Sequence, residues 1–160
     1  DAAVGCAAMA FKKGDIDGSV KFFDEAINLE TDNAKKADNA YKAASVLASA
    51  KKLSQARSYA QKAISFNENF GAPYILIAQL YAGNYKWNDE PALNKCTFFA
   101  AIDKLQRAKA VDPSVAEEAN KLISSYSAYT PEAKDLFMLG YKAGDRITIG
   151  GWIGETTTIR

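Results

Sequence analysis

Apolar and polar positions along KFFDEAINLE (21–30) follow the three- and four-residue spacing of a helix with one buried face. The same pattern returns twice. ARSYAQKAISFNENF (56–70) and AIDKLQRAKAVDPSV (101–115) place alanine, bulky residues and a closing turn in the same order. Three alanines anchor the alignment, Ala26, Ala63 and Ala108, and seven residues before each stands another small residue, Ser19, Ala56 or Ala101. Phe23, Ala60 and Leu105 share that stripe. Small residues there let two helices approach closely. The closing turns are Glu30-Thr31-Asp32, Asn67-Glu68-Asn69 and Asp112-Pro113-Ser114. Equivalent places in the preceding helices hold Ala7 and Ala10-Phe11, then Ala44 and Leu47, then Ile77-Ala78 and Tyr81. Three matches in one order make an internal repeat of helix pairs.

Gly14-Asp15 supplies the turn within the first pair, where glycine accepts backbone angles that other residues resist. With GDIDGSVKFFDEAINLETDN as its closest stretch, the chain resembles the tetratricopeptide repeat (TPR), two antiparallel helices in a unit of about 34 residues. The resemblance covers roughly residues 2–114. It departs from the family pattern at Ala40, beside Tyr41, where an aromatic is usual, and proline closes only the third unit. The expected fold is therefore all-α, a TPR-type α-solenoid of antiparallel helix pairs with a short C-terminal β-hairpin.

Spacing locates the irregularities. Ala26 to Ala63 spans 37 residues, and the excess over the unit is assigned to a linker, ETDNAKKADNAY. Ala63 to Ala108 spans 45, and that excess falls in AGNYKWNDEPALNKCT (82–97), whose Gly, Asn, Asp and Pro read as loop. Within it, Tyr85 and Trp87 either form an aromatic contact site or fold back onto the scaffold, of which folding back is favoured. After Pro113, Ala119, Leu122, Ile123 and Tyr126 predict a further helix, and a shorter one follows Pro131 with Leu136, Phe137 and Leu139 as a cap. RITIGGWIGETTTIR predicts a hairpin turning at Gly154-Glu155, with Ile147, Ile149 and Ile153 on one face of its first strand and Trp152 on the other. The expectation is that this hairpin docks around Leu122, Ile123, Phe137 and Leu139. The domain division that follows is a helical array over 1–129, comprising three units plus a further helix with the 82–97 insertion, and a tail over 130–160.

Composition then removes function classes. In 160 residues, 20 Lys and Arg balance 19 Asp and Glu, so no basic excess points to nucleic acid or an anionic membrane. No apolar run reaches the roughly 18–20 residues that direct membrane insertion needs. The absence of histidine removes the commonest general base and transition-metal ligand. Two cysteines, Cys6 and Cys96, are too few for a structural zinc site and are expected to be unpaired. DIDG (15–18) lacks the spaced oxygens of a calcium loop. GGWIG does not sit between a strand and a helix as phosphate loops do. AVGC (3–6) is similar to the end of a lipoprotein signal but falls in register with the first helix. Adjacent acid pairs such as Asp24-Glu25 point apart on a helix and read as solvated charge. No metal, cofactor or catalytic arrangement is expected.

The resemblance implies a concave groove, lined by the first helix of each unit, that grips a peptide or a partner's helix. Carried onto this chain, its residues are Ala8, Phe11, Lys12, Asp38, Tyr41, Lys42, Ser45, Ile75 and Gln79, with ordinary surface as the alternative. One TPR subclass clamps a chaperone's terminal carboxylate with Lys, Arg and Asn. Here those places hold Ala8, Ser45, Ile75, Leu76 and Gln79, with Lys42 alone, which speaks against it. The stretches AVDPSVAEEANKLI and YKAGDRITIGGWIGETTTIR resemble the ending of bacterial cell-envelope TPR proteins, implying a periplasmic or envelope location with a targeting segment upstream of Asp1. The leading expectation is a scaffold or binding module with a protein or peptide partner. The rival is a structural, self-assembling segment whose groove is filled by its own tail or another copy.

Overall fold

The computed structural model describes residues 1–160 and divides them into two compact units, Asp1–Leu76 and Ile77–Arg160. In chain order the helices are α1 (Ala2–Lys12), α2 (Ile16–Leu29), α3 (Asn33–Ser49), α4 (Leu53–Phe66), α5 (Ala72–Gly83), α6 (Pro91–Lys95) and α7 (Thr97–Val111). A 3-10 turn at Pro113–Val115 leads into α8 (Ala116–Ser127) and α9 (Ala133–Met138), followed by strands β1 (Arg146–Thr148) and β2 (Thr156–Thr158). The unit boundary falls within α5.

The first unit is built by caps and alanines. Asp1, Asp15 and Asp32 each stand before a helix and accept a backbone N–H of its first turn at 2.9 Å, satisfying a donor that the helix itself leaves unpaired. Asp15 and Gly18 thus use DIDG as a helix start. Helices α1 and α2 pack as a pair, α2 packs on α3, and α3 pairs with α4. Ala7, Phe23, Ala43 and Val46 form one core cluster, and Ile27, Ala40 and Ala63 another. Ala26, Ala56, Ala60 and Ala63 have no exposed surface. At the small-residue position seven before Ala26, the hydroxyl of Ser19 donates to the carbonyl of Ala7 at 2.8 Å, tying α1 to α2 inside the core. Tyr59 of α4 reaches both oxygens of Asp24 of α2 at 2.8 Å. Burial first, and then that carboxylate, raise its phenol to about 12. The proton therefore stays on the phenol, and the contribution present below pH 10 is lost as pH rises through 12.

The proposed linker is mostly helix. Only Glu30–Asp32 separate α2 from α3, because Asp32 caps a helix that already begins at Asn33. The turns inside the two pairs of the first unit each use a left-handed residue. Gly14 supplies it at φ 80°, but the matching place between α3 and α4 is Lys51 at φ 62°, a conformation that crowds its Cβ.

In the second unit, α7 pairs with α8 and receives β2. The proposed loop 82–97 is shorter than expected, since α5 runs to Gly83 and α6 occupies Pro91–Lys95. Strands β1 and β2 pair antiparallel with Ile147 opposite Thr157. The first strand ends at Thr148, so Ile149 and Ile153 are buried in the connection and do not share a strand face with Ile147. The connection turns through Gly151 and Gly154, both at positive φ.

The tail docks elsewhere than expected. Thr157 donates to Asp103 of α7 at 2.7 Å, and the Arg160 guanidinium pairs with the same carboxylate while lying over Phe99. Glu155 accepts from the hydroxyl of Tyr81 on α5 and pairs with Lys104 of α7 at 2.6 Å. Trp152 meets the Tyr81 ring edge-on at 5.5 Å. Phe137 stands exposed, Leu139 is exposed too, and neither receives the hairpin. Polar groups aimed from α7 and α5 choose the docking place, and the tail belongs to the second unit, not to a unit of its own.

Two substitutions probe this packing. Ala108 has no exposed surface, so Ala108→Leu should overpack the helix contact and cost about 1–3 kcal/mol, read as a lower denaturation midpoint. Lys51→Gly should do the opposite. Relief of the left-handed strain exceeds the entropy that glycine adds to the unfolded chain, giving a gain of roughly 0.5–1 kcal/mol.

Candidate functional site

Helix α3 carries four of the candidates that the family resemblance implies, on its least buried side. Asp38, Tyr41, Lys42 and Ser45 fall at i, i+3, i+4 and i+7, one face of a helix. The opposite face, including Ala37, Ala40, Ala44 and Leu47, is buried. On the stripe, Lys42 and Asp38 form an ion pair at 3.0 Å with both side chains about half exposed. The Ser45 hydroxyl donates to the carbonyl of Tyr41 at 3.1 Å, and the half-buried Tyr41 ring meets Phe70 edge-on at 5.4 Å. That contact holds the ring while leaving part of it accessible.

Helix α1 shares a core cluster with α3 through Ala7 and Ala43 and leaves Ala8, Phe11 and Lys12 exposed. Phe11 keeps 41% of its surface in water, which for a large apolar side chain is an unmet opportunity for burial. Beside these residues lies a hollow of about 340 Å³ that sequence reading missed, lined by Asp1, Val4, Glu30, Lys35, Asp38, Asn39 and Lys42. Its signal was present: Lys35, Asp38, Asn39 and Lys42 also repeat at helical spacing. The hollow is polar and mixed in charge.

Not every candidate faces solvent. Ile75 is only 4% exposed and offers a ligand almost no surface. Gln79 is exposed on α5 but lies in the second unit, whereas the other candidates lie in the first. Of the places where carboxylate-clamping domains carry cations, Lys42 is the one that is basic here, and its ammonium is already paired with Asp38.

Tyr85 and Trp87 pack against neighbouring segments. Tyr85 packs on Phe98 at 5.1 Å, and its carbonyl accepts from Thr97 at 2.9 Å. Asn94 of α6 accepts the backbone N–H of Trp87 at 2.8 Å and of Asn88 at 2.7 Å, pinning the segment. The Trp87 ring lies so close to Gly150 that a Cβ there would sit 2.7 Å from it. Both aromatics are scaffold contacts, and glycine at 150 is what admits the indole.

No three acidic or cysteine side chains converge to hold a metal ion, and no helix is long and apolar enough to cross a membrane. Cys6 is exposed on α1 and Cys96 is fully buried before α7, both as free thiols. Burial pushes the Cys96 thiol up to about 11.

No protein-family model and no curated protein sequence matches the chain. Solved structures do. The TPR2B domain of yeast Sti1, in a complex titled with pHsp70, is 23% identical at a TM-score of 0.60, covering 79% of this chain and 94% of that one. The first TPR of Spaghetti (RPAP3), bound to the HSP90 peptide SRMEEVD, is 16% identical at a TM-score of 0.58, covering 79% and 91%.

The two thiols should separate cleanly by reactivity. At pH 8, a thiol raised to about 11 is ionised to roughly one part in a thousand, and the thiolate is the nucleophile. Iodoacetamide should therefore label Cys6 alone in the folded protein and both cysteines in denaturant, as counted by intact mass.

Proposed function

From a tetratricopeptide-repeat fold that leaves one side of α1 and α3 unburied, we propose that the chain is a protein-interaction module. It binds a peptide or helix of a partner along Phe11, Lys12, Asp38, Tyr41, Lys42 and Ser45. The activity is binding without catalysis. The observation that carries this reading is the accessible aromatic pair, Phe11 exposed and Tyr41 half-buried, on two helices joined through Ala7 and Ala43. Support comes from the two similar domains, one in a complex with pHsp70 and one bound to an HSP90 peptide.

The mode of binding differs from terminal-carboxylate capture. The places that would need cations hold Ala8, Ser45, buried Ile75, Leu76 and Gln79, and Lys42 is occupied by Asp38. Apolar anchoring with a polar margin fits these residues better, because a few buried aromatic contacts usually supply most of an interface's affinity. The resemblance of residues 110–123 and 141–160 to envelope proteins supports a periplasmic or envelope setting.

The test is capture from bacterial envelope extract by the immobilised chain, with the captured protein then titrated against variants. Phe11→Ser and Tyr41→Ala should each weaken binding by about tenfold or more, and Lys42→Ala by about threefold at most. Circular dichroism checks that each variant is folded. Affinity should change little between low and moderate salt. A steep fall with salt, or equal losses in all three variants, would mean an electrostatic interface and sink the apolar reading.

A further inference from the structure

Helix α9 carries an apolar surface that neither the helix pairs nor the tail covers. It is a single short helix, and Leu136 is its one buried residue. Each following residue turns about 100° further round the axis, so anchoring Leu136 throws its neighbours outward. Phe137 is 76% exposed and Met138 83%. Together with Leu136, Tyr141, Ala143 and Ile159 they line a hollow of about 410 Å³. Three cations, Lys134, Lys142 and Arg160, stand among its lining residues, and no carboxylate does. Arg160 is paired with Asp103 and Lys134 with Glu132, but the Lys142 ammonium makes no ion pair. Asp145, the nearest acid in sequence, instead accepts the backbone N–H of Lys142 at 2.9 Å.

Met138 also borders a second hollow of about 320 Å³, which Pro91, Ala92 and Leu139 line with Glu90, Lys95 and Asp135. Two open hollows on either side of a methionine ridge make an extended surface. Small ligands favour concave sites that enclose most of their area, whereas extended apolar surfaces with adaptable methionine suit protein segments. Charge decides the rest. An apolar anchor entering the first hollow brings its flanking residues beside a free cation and no acid.

We propose that the α9 surface docks an acidic–apolar peptide segment of a partner protein. One bulky apolar side chain enters between Phe137 and Ile159, and a neighbouring Asp or Glu pairs with Lys142. This surface shares no residue with the α1–α3 face, so the two sites can fail independently.

The test uses the full chain as bait for a random dodecapeptide display library, followed by titration of fluorescein-labelled peptides made from the selected sequences. The expected selection places Leu, Ile, Phe or Met next to Asp or Glu. Phe137→Ser should weaken such a peptide by about tenfold or more, and Lys142→Glu by about threefold or more. Phe11→Ser and Tyr41→Ala should leave it unchanged. Because Phe137 is largely exposed, its variant should melt with the parent, which separates lost binding from lost folding. Recovery of no peptide, of apolar peptides without acids, or of peptides that ignore Phe137→Ser would overturn the proposal. So would sedimentation showing a self-association that Met138→Glu abolishes, since the occupant would then be a second copy. Binding of dodecanoate at this surface in place of every selected peptide would assign it to an acyl ligand and overturn it equally.

Discussion

Close approach of helices through alanine is the constraint on which the rest depends. Ala7, Ala26, Ala43, Ala56, Ala60, Ala63, Ala101 and Ala108 have essentially no exposed surface. A methyl group at each place sets the distance between backbones, and that distance decides which larger side chains fit beside it. Phe23 and Val46 fill the space left around Ala7 and Ala43, and Tyr41, Phe66 and Phe70 pack around Ala40 and Ala63. With their inner faces committed to these contacts, α1 and α3 have only their outer faces left for a partner. The proposed binding surface is thus what remains after packing is satisfied.

The second unit solves a different problem. Its two three-residue strands bury too little to stand alone, and an isolated hairpin is marginal in water. Two carboxylates supply the missing support. Asp103 holds Thr157 and Arg160, and Glu155 holds Tyr81 and Lys104. Asp103 joins the tail to α7 through two partners, and Glu155 joins it to α5 and α7 at once, which fixes direction as well as proximity. Ile147, Ile149, Ile153 and Ile159 then become buried without forming a long strand face.

Much of this was legible in the residues. Repeat spacing around Ala26 and Ala63 gave the helix pairs of the first unit, whereas positions 38, 41, 42 and 45 on α3 came from the family resemblance. Three kinds of feature were not legible. Conformations that a residue tolerates against its preference leave no mark, so nothing in the sequence distinguishes Lys51. Short helices stabilised by their surroundings read as loop, which hid α6 behind Pro91 and the asparagines around it and the first turn of α3 behind charged residues. Docking of remote segments depends on polar partners far apart in sequence. Nothing in RITIGGWIGETTTIR named Asp103, and the apolar residues of α9 were a reasonable but mistaken choice of support. The same limit applied to Ile75, whose apolar character suggested an anchor although the fold uses it inside.

The arrangement of Asp103 and Glu155 bears on the order in which the protein takes shape as it leaves the ribosome. Contacts inside the first unit join elements that are neighbours along the chain, α1 with α2, α2 with α3 and α3 with α4. The second unit holds α7 against residues that are made some fifty positions later, so Asp103 and the ring of Phe99 emerge long before Thr157 and Arg160 exist to meet them. During that interval Tyr81 and Phe99 stand uncovered on the side the tail will occupy, and synthesis pauses before residue 155 would lengthen that exposure.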